Sequence, residues 1–578
     1  MLPVTPAPSS SDSDPAPESR VTVVVGGVAG GMSAATRLRR LDEAREIIVL
    51  ERSSAVSFAN CGLPYHVSGV IAERDALSLQ TPERLAERFR LDVRVRHEAI
   101  SIDRAAKTVA VRDLSHGTVE TLHYDELVLA PGAAPRLPDD VAPGAPLHVL
   151  RTLDDLDRIM DRLDEAPAAG RAVVIGGGYI GLEMADNLAR RGLGTSLVQR
   201  GGQLLAALDE EMAAPVADHL TNHGVTLRLG RTVQHVASDH VLLDDGTRLA
   251  ADLVIAAMGV VPETRLAVEA GLAIGPSGGI AVDAAHRTSD PAIFAVGDAV
   301  EQRDAVDGGG RLVPLAGLAN RHGRAAADAI VGRAAPTRPV LGTAIIDVAG
   351  LAVASVGWTE RTARGRGRAV RVVHSHPLSH AGYYPGASPM SLKLVIDAAS
   401  DLILGAQAVG TEGVDKRIDV LATAMGAGLT ASSLAELELA YAPQFGQAKD
   451  PVNQLGYIAE NLAAGLDHVI QWHELDGALA GGAVLLDVRG EAQLAEGLIP
   501  GARWTPVERL REVQHEFTGR RVIVHCRVGQ GAHTAARLLA SLGHDVVNLD
   551  GGYLTWRDGM RARDLAGGTA SDRDDAAA

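Results

Sequence analysis

Ala172-Val173-Val174-Ile175-Gly176-Gly177-Gly178-Tyr179-Ile180-Gly181 carries four apolar residues straight into a glycine-rich turn, and a helical pattern opens behind it at Leu182-Glu183-Met184. The apolar run reads as a buried strand. Glycines at 176, 178 and 181 complete a GxGxxG fingerprint. The first makes the tight turn, the second lets the backbone approach a pyrophosphate, and the third allows helix and strand to pack closely. Unpaired N–H groups at the helix start, near Tyr179 and Ile180, favour an anion at the same point. A following strand, Thr195-Ser196-Leu197-Val198, ends on Gln199-Arg200. Such strands usually end on a carboxylate that binds a ribose 2′-hydroxyl. A guanidinium there suits a 2′-phosphate, which favours NADPH over NADH.

The same plan occurs once before. Val21-Thr22-Val23-Val24-Val25 leads into Gly26-Gly27-Val28-Ala29-Gly30-Gly31, then a helix with Ala34, Leu38 and Leu41 three or four apart, and Ile47-Ile48-Val49-Leu50 ends on Glu51-Arg52. Val28 stands where the middle glycine belongs, while Glu51 is placed for a ribose hydroxyl. Just downstream, Ser57-Phe58-Ala59-Asn60-Cys61-Gly62-Leu63-Pro64-Tyr65 holds one of only two cysteines. The turn and acidic strand end look like half of a flavin site, so the Cys61 thiol is expected beside that cofactor.

A chain of 578 residues exceeds what one hydrophobic core serves, and three or four domains are expected. Its apolar runs are too short to cross a bilayer. Residues 1–19 lack the basic start and apolar core of a secretory signal, and their Pro, Ser and Asp content reads as disordered. The stretch 566–578 reads the same way. Two cysteines cannot frame a disulfide scaffold, so a reducing compartment, the cytoplasm, is expected. The net charge of −17 opposes general attraction to nucleic acid or an anionic membrane, and neither is expected as a partner. An anionic ligand therefore needs a local basic cluster. Ser33, Arg37 and Arg40 share one helix face and suit a nucleotide phosphate. His374, His376 and His380 have no carboxylate or cysteine nearby in sequence to complete a ligand set, so no metal is expected.

Two nucleotide units interleaved with Leu127-Val128-Leu129-Ala130-Pro131-Gly132 and Pro291-Ala292-Ile293-Phe294-Ala295-Val296-Gly297-Asp298-Ala299 resemble the two-dinucleotide-binding-domain flavoprotein disulfide reductases. The resemblance implies that the first unit binds FAD around Gly26, Val28, Gly30, Gly31, Glu51, Arg52 and Ala130, with Asp298 on the ribityl chain. The second, inserted within the first, binds the nicotinamide cofactor around Gly176, Gly178, Tyr179, Ile180, Gly181, Gln199 and Arg200, with Gly259 near the nicotinamide. Residues 337–462 resemble the family's dimerisation domain, which implies a homodimer. Segments His380–Gly386, Ala440–Pro443 and Ala448–Pro451, together with the Cys61 string, narrow the resemblance to the coenzyme A-disulfide reductase branch. In that branch the counterparts of Ser33, Arg37, Arg40, Ser57 and Asn60 bind coenzyme A, and those of Tyr383 and Tyr441 reach across the dimer to the cysteine site. Lys449 would pair with the substrate's phosphates. An aligned family lysine is Phe89 here, next to Arg88.

From Trp472 the chain resembles a rhodanese domain, through Val484–Arg489, Gly497–Ala502 and Val522–Arg527, with a strand ending at the sulfur-carrying Cys526. Loop N–H groups after that cysteine suit an anionic sulfur. Gly531 occupies the position of a typical rhodanese-loop arginine, which disfavours thiosulfate. The expected architecture is thus α/β. An FAD-binding domain spans 20–150 and 276–336, an NAD(P)H-binding domain 151–275, an α+β dimerisation domain 337–462 and a rhodanese-like α/β domain 463–565. The expected chemistry is NAD(P)H-driven reduction of coenzyme A disulfide, coenzyme A persulfide or polysulfide, with Cys61 attacking the S–S bond and Cys526 handling a persulfide. No second cysteine lies near Cys61, which excludes a CxxxxC dithiol mechanism. Two other readings stay open: an NAD(P)H oxidase or peroxidase cycling Cys61 through sulfenic acid, and a non-catalytic redox sensor or sulfur-carrier hub.

Overall fold

The structure, a computed structural model, describes residues 20–165, 170–333 and 336–567. The stretches 1–19 and 568–578, expected to be disordered, lie outside the described residues. Ala566 and Gly567 correct that expectation, because the last helix, Gly552–Gly567, runs through them and Ala566 packs against Gly202.

Each glycine fingerprint sits at the same point of a five-stranded parallel sheet. In the first, the order is Ile293–Ala295, Glu126–Leu129, Val21–Val25, Glu46–Glu51 and Asp92–Val95. In the second it is Thr226–Leu229, Gly194–Gln199, Arg171–Ile175, Leu253–Ala256 and Leu147–His148. Strands buried on both faces explain the unbroken apolar runs at Val21 and Ala172. The second sheet already takes its edge strand from Leu147–His148, before the expected boundary at 151. The chain also returns to the first unit before 276, since Leu266, Ala267 and Leu272 are buried against Ala99 and Tyr124.

The turn glycines are fixed by backbone contact. Gly26 and Gly176 have φ of 102° and 111°, where a Cβ would lie 2.1 and 2.2 Å from the carbonyl oxygens of Ala130 and Ala257. A Cβ on Gly31 or Gly181 would fall 1.9 or 1.8 Å from the carbonyl oxygen of Gly26 or Gly176. Both helices start earlier than their apolar pattern indicates, at Ala29 and Tyr179, so these last glycines lie inside the first turn. Val28 fits because its φ is −111°, open to any side chain.

Residues 344–410 form an antiparallel sheet in the order Ala344–Val348, Leu351–Gly357, Ile403–Gly410, Met390–Asp397 and Val370–Ser375. Helices Val414–Gly426 and Pro451–Ala463 pack against it. The C-terminal unit is a parallel sheet ordered Val469–Ile470, Val546–Leu549, Val522–His525, Val484–Asp487 and Arg503–Trp504. Among the described residues no helix is long and apolar enough to cross a membrane.

Gly31→Ala is expected to destabilise the protein by about 1–3 kcal/mol, the usual cost of overpacking. Gly178→Ala should leave stability unchanged, because a Cβ there meets nothing within 4 Å, and should weaken nicotinamide-nucleotide binding instead. Denaturant unfolding and nucleotide titration of the two variants separate these effects, and an unchanged midpoint for Gly31→Ala would refute the packing argument.

Candidate functional site

A cavity of about 1380 Å³ runs between the two glycine turns. Gly26, Val28, Gly30, Glu51, Arg52, Ala130 and Asp298 line it from the first unit, Gly178, Tyr179, Ile180 and Gly259 from the second, and Asn60 and Cys61 stand between them. Gly31, Gly176, Gly181, Gln199 and Arg200 lie outside its lining. The first three shape the turns, Gln199 accepts a hydrogen bond from Gly177 N–H at 3.0 Å, and Arg200 is exposed. Glu51 makes the matching bond in the first unit, accepting from Gly27 N–H at 2.8 Å, and also takes the N–H and hydroxyl of Ser53.

The cysteine is held by a pinned loop. Ser57 adopts φ 46°, its N–H donates to the Gly27 carbonyl at 2.9 Å, and Ala59 N–H donates to the Leu77 carbonyl at 2.8 Å. Phe58, Leu63, Val67 and Leu77 then bury into the same core as Leu182, Met184 and Leu188 of the second unit. The short turn Asn60–Gly62 is left on the rim with Cys61 exposed.

Although a reagent can reach it, Cys61 lines the cavity and is partly shielded from water by its walls. Desolvation pushes its thiol pKa up, and the Glu183 and Asp298 carboxylates push it further. A thiolate there is therefore unfavourable in the protein alone and needs a countercharge from what binds. Glu183 and Tyr65 escaped the sequence reading. Tyr65 hydroxyl donates to Glu183 at 3.1 Å, and burial holds the Glu183 carboxyl above its ordinary pKa. Glu183 falls four residues after Tyr179, one turn along the same helix, and that spacing was the available signal. Arg151 was also missed. It donates to the Pro131 carbonyl at 3.0 Å and lies 3.7 Å from Glu263, which pairs with Arg52 at 2.7 Å.

The cavity fits a flavin nucleotide at Asp298. The Asp298 carboxyl is desolvated, with its pKa raised for that reason, and among the described residues it accepts no protein hydrogen bond, as suits a hydroxyl-bearing chain. The open space over the Gly178 turn, where a Cβ would meet nothing within 4 Å, suits the nicotinamide nucleotide instead.

The other expected residues lie apart from the cavity. Ser33 bonds Asn320, and Arg37 is paired with Asp328 at 2.7 Å, so one guanidinium of the basic face is already partnered; Arg40 is exposed. Tyr383 and Tyr441 are 76% and 48% exposed and bond each other through their hydroxyls at 2.9 Å. Lys449 is exposed. Cys526 is buried at the end of strand Val522–His525, and a Cβ on Gly531 would come 3.5 Å from its sulfur. Arg527, the guanidinium nearest in sequence, is engaged by Glu496 at 2.7 Å.

Residues 20–322 match the family described as pyridine nucleotide-disulphide oxidoreductase, residues 344–451 its dimerisation domain, and residues 471–558 the rhodanese-like domain. The coenzyme A disulfide reductase of Staphylococcus aureus (strain JH9) is 34% identical over 442 residues, covering 76% of this chain and 99% of that protein. The solved structure of reduced Bacillus anthracis CoADR-RHD is 43% identical, with a TM-score of 0.92, covering 94% of this chain and 99% of that one. A NAD-dependent persulfide reductase from A. fulgidus is 35% identical, with a TM-score of 0.87, over 93% and 100%.

Alkylation of Cys61 by iodoacetamide in flavin-free protein should rise with pH through a midpoint above the ordinary thiol value of 9.0, and Glu183→Gln should move that midpoint down by removing a negative charge. An ordinary midpoint in the wild type would sink this account of the site.

Proposed function

The chain belongs to the pyridine nucleotide-disulphide oxidoreductase family, and from that premise we propose that it is an FAD-dependent, NAD(P)H-driven reductase of coenzyme A disulfide, coenzyme A persulfide or polysulfide, in which Cys61 is the reacting group. The observation that carries the reading is that one cysteine, with no other in its cavity, stands between two nucleotide-binding turns.

When bound, FAD supplies two-electron exchange between a nicotinamide and a sulfur centre. Gly26, Val28, Gly30, Gly31, Glu51, Arg52, Ala130 and Asp298 would hold it, and Gly176, Gly178, Tyr179, Ile180, Gly181, Gln199, Arg200 and Gly259 the nicotinamide cofactor. The Cys61 sulfur attacks the substrate S–S bond, forming a bond to one sulfur while the other leaves as a thiolate and takes a proton. Over a full cycle NAD(P)H and one proton convert a disulfide to two thiols, or coenzyme A persulfide to coenzyme A and hydrogen sulfide.

Ser33, Arg37, Arg40, Ser57, Asn60 and Lys449 would bind coenzyme A. The exposed Tyr383, Tyr384, Tyr441 and Phe445 form the kind of aromatic surface that a second subunit covers, and support a homodimer in which the paired tyrosine hydroxyls donate a proton to the leaving thiolate. Such thiol chemistry suits the cytoplasm. The C-terminal module with Cys526 directs the enzyme toward sulfane sulfur, and because Glu496 occupies Arg527, a thiol-bound persulfide fits its loop better than thiosulfate.

Cys61→Ser is expected to lower reduction of both coenzyme A disulfide and coenzyme A persulfide by more than about 10³-fold, the scale for deleting a nucleophile, with flavin retained. Cys526→Ser should spare the disulfide and impair only sulfane-sulfur substrates. Anaerobic NADPH oxidation by the three proteins tests this, and equal loss of both activities in Cys526→Ser would overturn the division of labour. Arg200→Ala should raise the KM for NADPH roughly 10- to 100-fold, as for loss of a charged hydrogen bond, and leave that for NADH unchanged; a uniform effect on both nucleotides would reject Arg200 as the 2′-phosphate contact.

A further inference from the structure

Between the antiparallel domain and the rhodanese-like unit lies a buried ionic chain that the chemistry above does not use. His374, on strand Val370–Ser375, is buried with both ring nitrogens facing carboxylates: Nδ1 is 2.7 Å from Asp550 and Nε2 is 3.0 Å from Glu211. Asp550 belongs to the rhodanese-like unit and Glu211 to helix Glu210–Asn222 of the second nucleotide unit. Lys393, opposite His374 on the neighbouring strand, continues the chain to Glu211 at 2.5 Å, Glu360 at 2.8 Å and Asp209 at 3.0 Å. A neutral imidazole has one N–H, so it can serve only one of two carboxylates and would turn a lone pair on the other. Both bonds form only in the imidazolium.

This chain ends against the loop of Cys526. Asp550 also accepts from the His374 N–H at 3.1 Å and from the Gln471 amide at 3.1 Å. The two residues after it are wedged between the units. A Cβ on Gly551 would lie 2.8 Å from the His374 Cβ, and one on Gly552 would lie 2.5 Å from the Cys526 carbonyl oxygen. Tyr553 N–H donates to that same carbonyl at 2.8 Å, and Leu554 N–H to the Arg527 carbonyl at 3.1 Å. A single four-residue turn thus touches His374 on one side and the sulfur-carrying loop on the other.

We propose that protonated His374 is a positioning residue that docks the rhodanese-like unit on the reductase body and holds the Cys526 loop in register for sulfane-sulfur turnover. The part about turnover rests on the function proposed above; the docking itself does not. Burial opposes the charge on His374, but Asp550 and Glu211 outweigh it and hold its pKa up at about 9, against the repulsion of Lys393. His376, two residues on, bonds Thr555 at 2.8 Å and is kept neutral by burial and by the charge on His374, its pKa pushed down to about 3. Because the folded value is raised, the docking contribution is complete below the ordinary histidine value of 6.5 and is lost as pH rises through about 9. Lys393 is held charged by its three carboxylates, so His374 is the member that releases.

The test is amide hydrogen exchange on the full-length, flavin-loaded protein, wild type against His374→Ala and the near-isosteric Asp550→Asn, with rates corrected for the intrinsic effect of pH. Both variants at pH 7.5, and the wild type above pH 9, should exchange at least about tenfold faster at Gly551, Gly552 and residues 526–531, while strand Val21–Val25 keeps its protection. Coenzyme A-disulfide reduction should be retained, and sulfane-sulfur turnover lost in step with the exchange. Unchanged protection of the Cys526 loop in both variants, or loss of protection throughout the chain, would overturn the proposal. Absence of turnover with every sulfur acceptor would instead overturn the function proposed above and leave the docking to be decided by the exchange.

Discussion

The position of the Cys61 sulfur depends on where four apolar side chains go. Phe58, Leu63, Val67 and Leu77 flank Cys61 in sequence yet bury into the second nucleotide unit's core. Each such burial is worth about 1.5–3 kcal/mol before entropy is counted. The segment is therefore fastened across the seam between two units, and its one polar turn, Asn60–Gly62, has nowhere to face but the cavity. The strained backbone at Ser57 belongs to the same arrangement, since a φ of 46° for a residue with a Cβ persists only where its surroundings over-determine it. A loop held by its own unit alone would leave the sulfur free to drift relative to the second turn.

Charge is distributed along the chain by the same rule with opposite outcomes. At Cys61 burial and two carboxylates act on a thiol, so the neutral form is favoured until something positive or polar arrives. At His374 two carboxylates face an imidazole, and the charged form is favoured despite complete burial. The first arrangement lowers the thiolate fraction of an exposed thiol. The second converts a proton into a structural tie. Buried carboxylates are costly to desolvate in both places; at His374 the imidazolium they face offsets that cost, and at Cys61 the Tyr65 hydroxyl bonds Glu183.

The C-terminal unit is joined to the rest by chemistry more specific than a linker. Its last helix, Gly552–Gly567, lies along helix Glu210–Asn222, where Arg561 and Asp218 pair at 2.7 Å, and its Asp550 turn reaches the antiparallel sheet. A module attached this way samples few orientations, so Cys526 is held at a defined place relative to the other units. The pairing of Arg527 with Glu496 engages the guanidinium nearest to Cys526 in sequence, which narrows what the loop can attract.

The glycine fingerprints were legible in the sequence because their requirement is local. A positive φ at Gly26 and Gly176 and a close approach at Gly31 and Gly181 are properties of a few consecutive residues, and Val28 was a tolerable exception for the equally local reason that its φ is negative. The alternation of apolar strands and glycine turns carried the α/β class of the two nucleotide units. Less legible were the unit boundaries, since Leu147–His148 joins a sheet whose other strands come later in sequence. Glu183 lay within a motif that was read for its glycines alone. Arg151, the Tyr65–Glu183 bond and the His374–Asp550 pair, 118 and 176 residues apart in the last two cases, had no sequence signature. Which charges meet is set by how folded units pack, and that depends on surfaces assembled from distant segments. Sequence alone determined the fold class; only tertiary structure decided which ionisable groups face Cys61 and what ties the Cys526 unit to the rest of the chain, because a Coulomb interaction depends on separation in space and not along the chain.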